Sequence, residues 1–285
     1  MRDQLFEAIK GHDVEYVDIR VEDLVNTWVI FRGSDLDSIG SSRTRGGIVR
    51  ALYKGGWGYA TFNDLGDLKK QVREACLTAK LVGSGKTYFA PTEVVVDCIK
   101  ARLIKDFRQV PLADKKALME AYNKIVLGYH EKIQTSIVRY ADSFKSVWFA
   151  SSEGTYIEEE VPDVNIYVGA TARDGDIVQK GFESGGGADG YQSVEGFHEQ
   201  AATAAQKAVE LLSAPPVKGG KYTVITDQIM TGVFTHEAFG HLSESDFVYE
   251  NPQMQELMQL GKRFGVQGLN IIDDGSYPGG LGSHR

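Results

Sequence analysis

The sequence predicts an α+β protein of several domains, built largely from antiparallel sheets with flanking helices. Three observations predict this class. Apolar and polar residues alternate over many short segments, a pattern typical of strands with one buried face. Short turn signals rich in Gly, Ser and Asp separate these segments, as they do in hairpins. Finally, 285 residues exceed the length of one average domain.

Residues 1–90 are predicted to form an N-terminal α/β domain. A short amphipathic helix opens the chain, and Val14-Glu-Tyr-Val-Asp-Ile-Arg-Val then alternates with period two. Asp64 is the predicted N-cap of a helix that runs to Lys80. The further predicted strands of this domain are 27–31, 47–53 and 57–62.

Residues 91–216 are predicted to form a middle α+β domain. A strand over Val94 to Ile99 and a helix after Pro111 open it, and an alanine-rich helix from Phe197 to Leu212 closes it. Between them, 133–182 reads as about four strands, and Gly185-Gly-Gly reads as a flexible loop. The apolar face of the first helix is predicted at Leu118, Ala121, Ile125 and Leu127. The turns are predicted at Asp142-Ser143, Glu153-Gly154, Pro162-Asp163 and Asp174-Gly175.

A third region covers 217–285. The linker Ala214-Pro-Pro-Val-Lys-Gly-Gly leads into it, and its first predicted element is a strand over Lys221 to Thr226.

Composition narrows the function classes. Lys and Arg number 31 against 39 Asp and Glu, and this net charge of −8 argues against nucleic acid as a partner. The charged N-terminus is unlike a signal peptide, and no apolar run approaches the ~20 residues that span a bilayer. The two isolated cysteines fit a reducing cytoplasm better than a disulfide framework. We therefore expect a cytoplasmic protein that is not embedded in a membrane.

The segment His236-Glu-Ala-Phe-Gly-His241 is the one constellation of metal-ligand type in the chain. Its spacing is HExxxH, whereas the familiar zinc motif HExxH stacks both histidines on one helix face. At about 100° per residue, an offset of five leaves the imidazoles roughly 140° apart on a regular α-helix. On spacing alone a structural pair is the commoner interpretation. Metal binding requires an irregular helix, and a π-bulge at Gly240 is the predicted device.

Three features favour the metal. Glu237 directly follows the first histidine, where a zinc peptidase keeps its general base, and small or apolar residues fill the gap between the histidines. The chain also has only six histidines in all. Glu244 and Asp246 follow on the next turn and are candidates for orienting a histidine.

The segment Thr231-Gly-Val-Phe-Thr-His-Glu-Ala-Phe-Gly-His-Leu-Ser-Glu-Ser-Asp-Phe-Val resembles the metal-binding helix of the TldD-type zinc metallopeptidases of the TldD/PmbA family. Tyr16-Val-Asp-Ile-Arg, Gly55-Gly-Trp-Gly-Tyr-Ala and Asn63-Asp-Leu resemble the first domain of that family in order and spacing. The resemblance extends from end to end.

The resemblance implies a zinc-dependent metallopeptidase that hydrolyses peptides or unfolded polypeptide segments. It implies His236 and His241 as Zn²⁺ ligands, Glu237 as the general base, and 217–285 as the start of a truncated C-terminal metallopeptidase domain. The third ligand it implies is a cysteine beyond Arg285, so we expect weak zinc binding and no activity from these 285 residues. Stoichiometric zinc in this chain would instead indicate another ligand, such as His284.

The resemblance also implies a homodimer, or a heterodimer with a PmbA/TldE-type sister subunit. The alternative function is a non-catalytic peptide-binding or modulator subunit, although sister subunits of that kind lack HExxxH. Gly83-Ser-Gly-Lys-Thr resembles the end of a P-loop but follows a helix and lacks the first glycine. Cys76 and Cys98 match no ligand position of the family and are interpreted as small buried hydrophobes.

Overall fold

The computed structural model describes residues 1–275 and 277. The chain divides into two compact units, Met1–Ala214 and Pro215–Gly275.

The unit Met1–Ala214 is a seven-stranded sheet with α-helices against it. Short 3₁₀ turns lie at Phe107–Gln109 and Tyr191–Val194. Its helices and strands are α1 (Arg2–Ile9), β1 (Tyr16–Arg32), β2 (Asp35–Tyr53), β3 (Gly56–Phe62), α2 (Leu68–Val82), β4 (Val96–Ile99), α3 (Leu112–Gly128), β5 (Ile133–Ser151), β6 (Tyr156–Asp174), β7 (Ile177–Gly187) and α4 (His198–Glu210).

The strand order is β3-β2-β1-β5-β6-β4, and β7 pairs with another stretch of β6. All pairs are antiparallel except β4 with β6. The predicted α+β class with largely antiparallel pairing is confirmed. Because β1 pairs with β5 along its length, the sheet is continuous across the predicted domain boundary at residue 90. The division of the chain into three domains remains a prediction.

The strands are longer than the sequence pattern predicts. The two turns predicted at Asp142 and Pro162 are wrong, since these residues lie inside β5 and β6, where Pro162 pairs with Phe144. Asp142 can be buried inside the strand because Lys115 and Tyr140 donate hydrogen bonds to its carboxylate. Pro162 lies between the stretches of β6 that pair with β4 and with β7, so on that side its missing N–H costs no described ladder bond.

Gly185-Gly-Gly is likewise strand and not loop, because it pairs with residues 164–166 of β6. The hairpin turns predicted at Glu153-Gly154 and Asp174-Gly175 are confirmed, since both dipeptides join neighbouring strands.

Both hydrophobic cores lie on one face of the sheet. Alternate residues of a strand point to opposite faces of the sheet. Odd-numbered residues of β1 enter both cores: Val17 and Ile19 lie in the core near α1 and α2. Val29 and Phe31 lie in the core near α3 and α4. All four helices therefore pack on this face. We call the opposite, helix-free side of the sheet the open face.

Two helix predictions need correction. The N-cap of α2 is Asp67, whose side chain accepts a hydrogen bond from the Lys70 N–H, whereas Asp64 stabilises the preceding turn. The fully buried residues of α3 differ from the predicted apolar face, although Leu118 and Ile125 of that face pack against the core as partly buried residues. The buried residues of α3 are Lys115, Met119, Tyr122, Asn123 and Val126.

The unit Pro215–Gly275 contains α5 (Gln228–Thr235), a π-turn at His236–Gly240, a 3₁₀ turn at His241–Ser243, α6 (Ser245–Glu250) and α7 (Pro252–Leu257). The strand predicted over Lys221 to Thr226 is wrong: these residues have no regular structure and are exposed. A strand needs a paired neighbour, and none of the described strands pairs with this segment. Within residues 1–275 and 277, no helix combines the length and hydropathy needed to cross a bilayer.

Candidate metal centre

The HExxxH segment continues directly from α5. Asp227 caps this helix, since its side chain accepts a hydrogen bond from the Met230 N–H at 2.8 Å. The helix then widens at His236, where the His241 N–H donates to the His236 carbonyl oxygen, five residues back. This is the bond that defines a π-turn, and it places residues i and i+5 on one side. The irregular helix predicted from the five-residue offset is confirmed.

The π-turn brings the predicted site residues together. The ring centroids of His236 and His241 are 4.4 Å apart. One potential ligand atom from each histidine and from Glu237 lie within 4.8 Å of one another, and all three side chains are exposed. Exposed side chains can close such a separation by rotating about their χ angles. Two imidazole nitrogens are ligands of the kind that Zn²⁺ takes in catalytic sites, and a carboxylate directly after the first histidine is the general base of the related HExxH motif, so the residues fit this ion.

Gly240 is not what permits the π-turn. Its backbone has φ −54° and ψ −56°, an ordinary helical conformation that any residue with a side chain adopts. A Cβ at this position would lie 3.4 Å from Nδ1 of His236, which is normal contact. The predicted irregularity is therefore present, but the reason given for it from the sequence is wrong.

Glu244 holds His241 in one orientation. Its Oε1 lies 2.7 Å from Nδ1 of His241, while Nε2 of the same ring lies 3.6 Å from Oε2 of Glu237. An ionised carboxylate only accepts hydrogen bonds, so Nδ1 carries the proton and Nε2 presents its lone pair in the neutral ring. The hydrogen bond to Glu244, aided by its negative charge, raises the pKa of His241 above the ordinary histidine value.

The other candidates lie elsewhere. Asp246 accepts a hydrogen bond from the Phe247 N–H, and no described bond joins it to either histidine. Cys76 is buried in α2, in line with its interpretation, whereas Cys98 is exposed on β4, against it. His284 lies outside the described residues.

The P-loop look-alike at 83–87 follows helix α2, as the sequence indicated, and leads into irregular chain. The Gly85 N–H donates to the Lys54 carbonyl oxygen at 2.7 Å, so this amide is used within the fold.

Three domain models of one family match the chain in order. They are the PmbA/TldA metallopeptidase domain 1 at 17–80, the central domain at 105–212 and the C-terminal domain at 219–285. The chain belongs to the PmbA/TldD family. Among curated PmbA/TldD-type relatives, a metalloprotease of Synechocystis is 42% identical over 271 residues, which are 95% of this chain and 58% of that protein. A protein of Saccharolobus solfataricus named zinc metalloprotease TldD homolog is 31% identical over 145 residues, 50% of this chain and 32% of that protein.

Solved structures share the PmbA/TldD-type fold. A putative modulator of DNA gyrase from Bacteroides thetaiotaomicron superposes with a TM-score of 0.72 at 16% identity, over 85% of this chain and 56% of that one. TldE from Thermococcus kodakarensis superposes with a TM-score of 0.58 at 15% identity, over 72% of this chain and 47% of that one. The chain thus spans little more than half the length of the relatives that match most of it.

Proposed function

We propose that this protein is a zinc-dependent metallopeptidase that hydrolyses peptides or unfolded polypeptide segments, with His236 and His241 as metal ligands and Glu237 as the general base. The observation that carries the proposal is the convergence of the two imidazoles and the Glu237 carboxylate on one side of a π-turn. The curated relatives named metalloproteases support the reaction class, and the name of the Saccharolobus relative supports zinc. Because the chain spans 58% of the Synechocystis protein, activity is proposed for the whole polypeptide.

Each residue then has a chemical role. His241 offers Nε2 to the ion because its Nδ1–H is engaged by Glu244. When bound by the two histidines, zinc would act as a Lewis acid, lowering the pKa of a bound water to ~7 and polarising a peptide carbonyl. Glu237 takes the proton of the attacking water on a carboxylate oxygen and returns it to the departing amine. Because water is the nucleophile, no side chain of the protein has to attack the carbonyl.

The test compares two variants of the full-length protein. Glu237→Gln keeps the size and polarity of the side chain but cannot accept a proton, so zinc content stays normal and turnover falls by ~10²–10⁴. His236→Ala loses zinc and activity together. Near wild-type peptide hydrolysis by zinc-loaded Glu237→Gln protein would exclude Glu237 as the base.

A second candidate function is a non-catalytic peptide-binding or modulator subunit. The observation that favours it is the fold shared with a protein described as a putative modulator of DNA gyrase and with TldE. The same variants discriminate between the two functions, because a peptide-holding subunit keeps its peptide affinity in all forms and has no turnover to lose.

The likeness to TldE also supports a homodimer or a heterodimer with a PmbA/TldE-type sister subunit as the assembly. The two free cysteines support a cytoplasmic location.

A further inference from the structure

The open face of the sheet carries a shallow concavity of about 420 Å³ where β5, β6 and β7 lie side by side. Its floor is formed by Ile137 and Gly169, which are directly opposite each other on β5 and β6. No helix of Met1–Ala214 covers it, since all four pack on the other face.

An aromatic platform stands beside the floor. Tyr167 and Phe182 stack with ring centroids 5.7 Å apart and planes inclined by 19°. The Tyr167 ring lies across the strand at Gly169, where a Cβ would be only 2.9 Å from its Cε1 atom. A side chain at residue 169 would therefore displace the ring. Phe182 is 58% exposed, so the platform offers apolar area to a ligand.

The rim of the concavity is basic. Arg139 lies opposite Tyr167, Lys180 lies opposite Thr171, and Arg32 lies opposite Ile137. No carboxylate lines the concavity in the part of the chain that the structure describes. Arg32 has only a long ion pair with Asp37, at 3.8 Å. Arg139 and Lys180 have no ion pair with any residue among 1–275 and 277, although the chain as a whole carries a net charge of −8.

The strand register fixes the spacing of these cations. Arg139 and Lys180 are two strands apart and four residues apart along β6. With strands ~4.8 Å apart and ~3.4 Å per residue, this places their Cα atoms roughly 17 Å from each other, with the aromatic platform between them. In an extended peptide, residues i, i+2 and i+4 point to one side and span about 13 Å, and long side chains bridge the remainder.

We propose that this concavity binds an acidic, extended polypeptide segment. Two carboxylates of the segment, four residues apart, pair with Arg139 and Lys180, and the apolar side chain midway between them lies on Tyr167 and Phe182. Unpaired cations on an acidic protein, the absence of carboxylates from the described lining and the alternating geometry of a strand all favour this partner. The recognition is independent of the metal chemistry proposed for the other unit.

The test uses the 285-residue chain and short fluorescent peptides with Glu, Phe and Glu at alternate positions. We expect saturable binding that weakens with salt, and no binding of the matched Lys, Phe, Lys peptide. Exposed ion pairs contribute modestly, so Arg139→Gln with Lys180→Gln should raise the Kd about tenfold. Arg73→Gln, which removes an exposed charge from α2, should leave it unchanged. Circular dichroism checks that the variants fold.

Three results would overturn the proposal. One is the absence of saturable binding of the acidic peptide. Another is an unchanged Kd in the folded double variant. The third is displacement of the peptide by single-stranded DNA or RNA that binds more tightly and depends on the same two cations, since that result assigns the surface to nucleic acid.

Discussion

Substituting Glu244 tests whether the orientation of His241 governs metal binding. Glu244→Gln removes the charge of the carboxylate that accepts the Nδ1–H bond at 2.7 Å while it preserves the side-chain shape. Loss of such a partner typically weakens metal affinity 10–100-fold. Both side chains are about half exposed, at 50% for His241 and 52% for Glu244, so water competes for the bond. We therefore expect the lower end of that range, about a tenfold rise in the Kd for zinc.

The assay is competition for zinc against a chromophoric chelator, with the full-length protein and Glu250→Gln as the control. Glu250 is an exposed carboxylate on α6 of the same unit. NMR titration of the His241 ring gives a second readout. Glu244 raises the pKa of this imidazole, so the substitution should lower it. An unchanged zinc Kd together with an unchanged His241 pKa would refute the positioning role.

The same raised pKa sets the sign of the pH dependence. Zinc requires the neutral ring, so affinity should fall as pH drops through the raised value, and in Glu244→Gln the fall should begin at lower pH. In the metal-free protein, the ion pair between protonated His241 and Glu244 stabilises the native state fully at pH values below the ordinary pKa of histidine. That contribution is lost as pH rises through the raised pKa.

Two further predictions concern the fold and the π-turn. Lys115→Met leaves Asp142 buried without its cation, and urea unfolding should show that the free energy of unfolding falls by about 3–5 kcal/mol. Lys100→Met removes an exposed lysine that pairs with Glu158 and Glu160, and it should cost less than ~1 kcal/mol for each ion pair. Equal losses in the two variants would contradict this prediction. Gly240→Ala should keep the zinc affinity of the full-length protein, because a Cβ at this position has room beside the His236 ring. Gly240→Val adds two methyl groups next to that ring and should weaken zinc binding. Equal zinc affinities of the two variants would show that the contact between residue 240 and His236 is irrelevant.

Alternation and periodicity predict elements that one buried face dictates. The α+β class and the helices α1, α2 and α4 follow from such patterns. Alternation and periodicity mislead where a polar residue is buried because a partner distant in sequence bonds to it. Asp142 reads as a turn residue in the sequence, but it lies inside β5, where Lys115 and Tyr140 donate hydrogen bonds to its carboxylate.

The metal site was the more predictable part because its residues are close in sequence. The five-residue offset itself requires a widened turn, and the π-turn at His236–Gly240 is that device. The open-face concavity could not be predicted, because Arg139, Tyr167 and Lys180 belong to three strands. Only the register of β5, β6 and β7 brings them together. Residues 221–226 show the opposite failure: their alternation predicts a strand, but no described strand pairs with them.

The most direct test of the central claim is the zinc content of the purified full-length protein after dialysis against a mild chelator. The measurement, by elemental analysis, compares the parent with His236→Ala, His241→Ala and Glu237→Gln. We predict stoichiometric zinc in the parent and in Glu237→Gln, and its loss from both histidine variants. Stoichiometric zinc retained in both histidine variants would contradict the assignment of this π-turn as the metal centre.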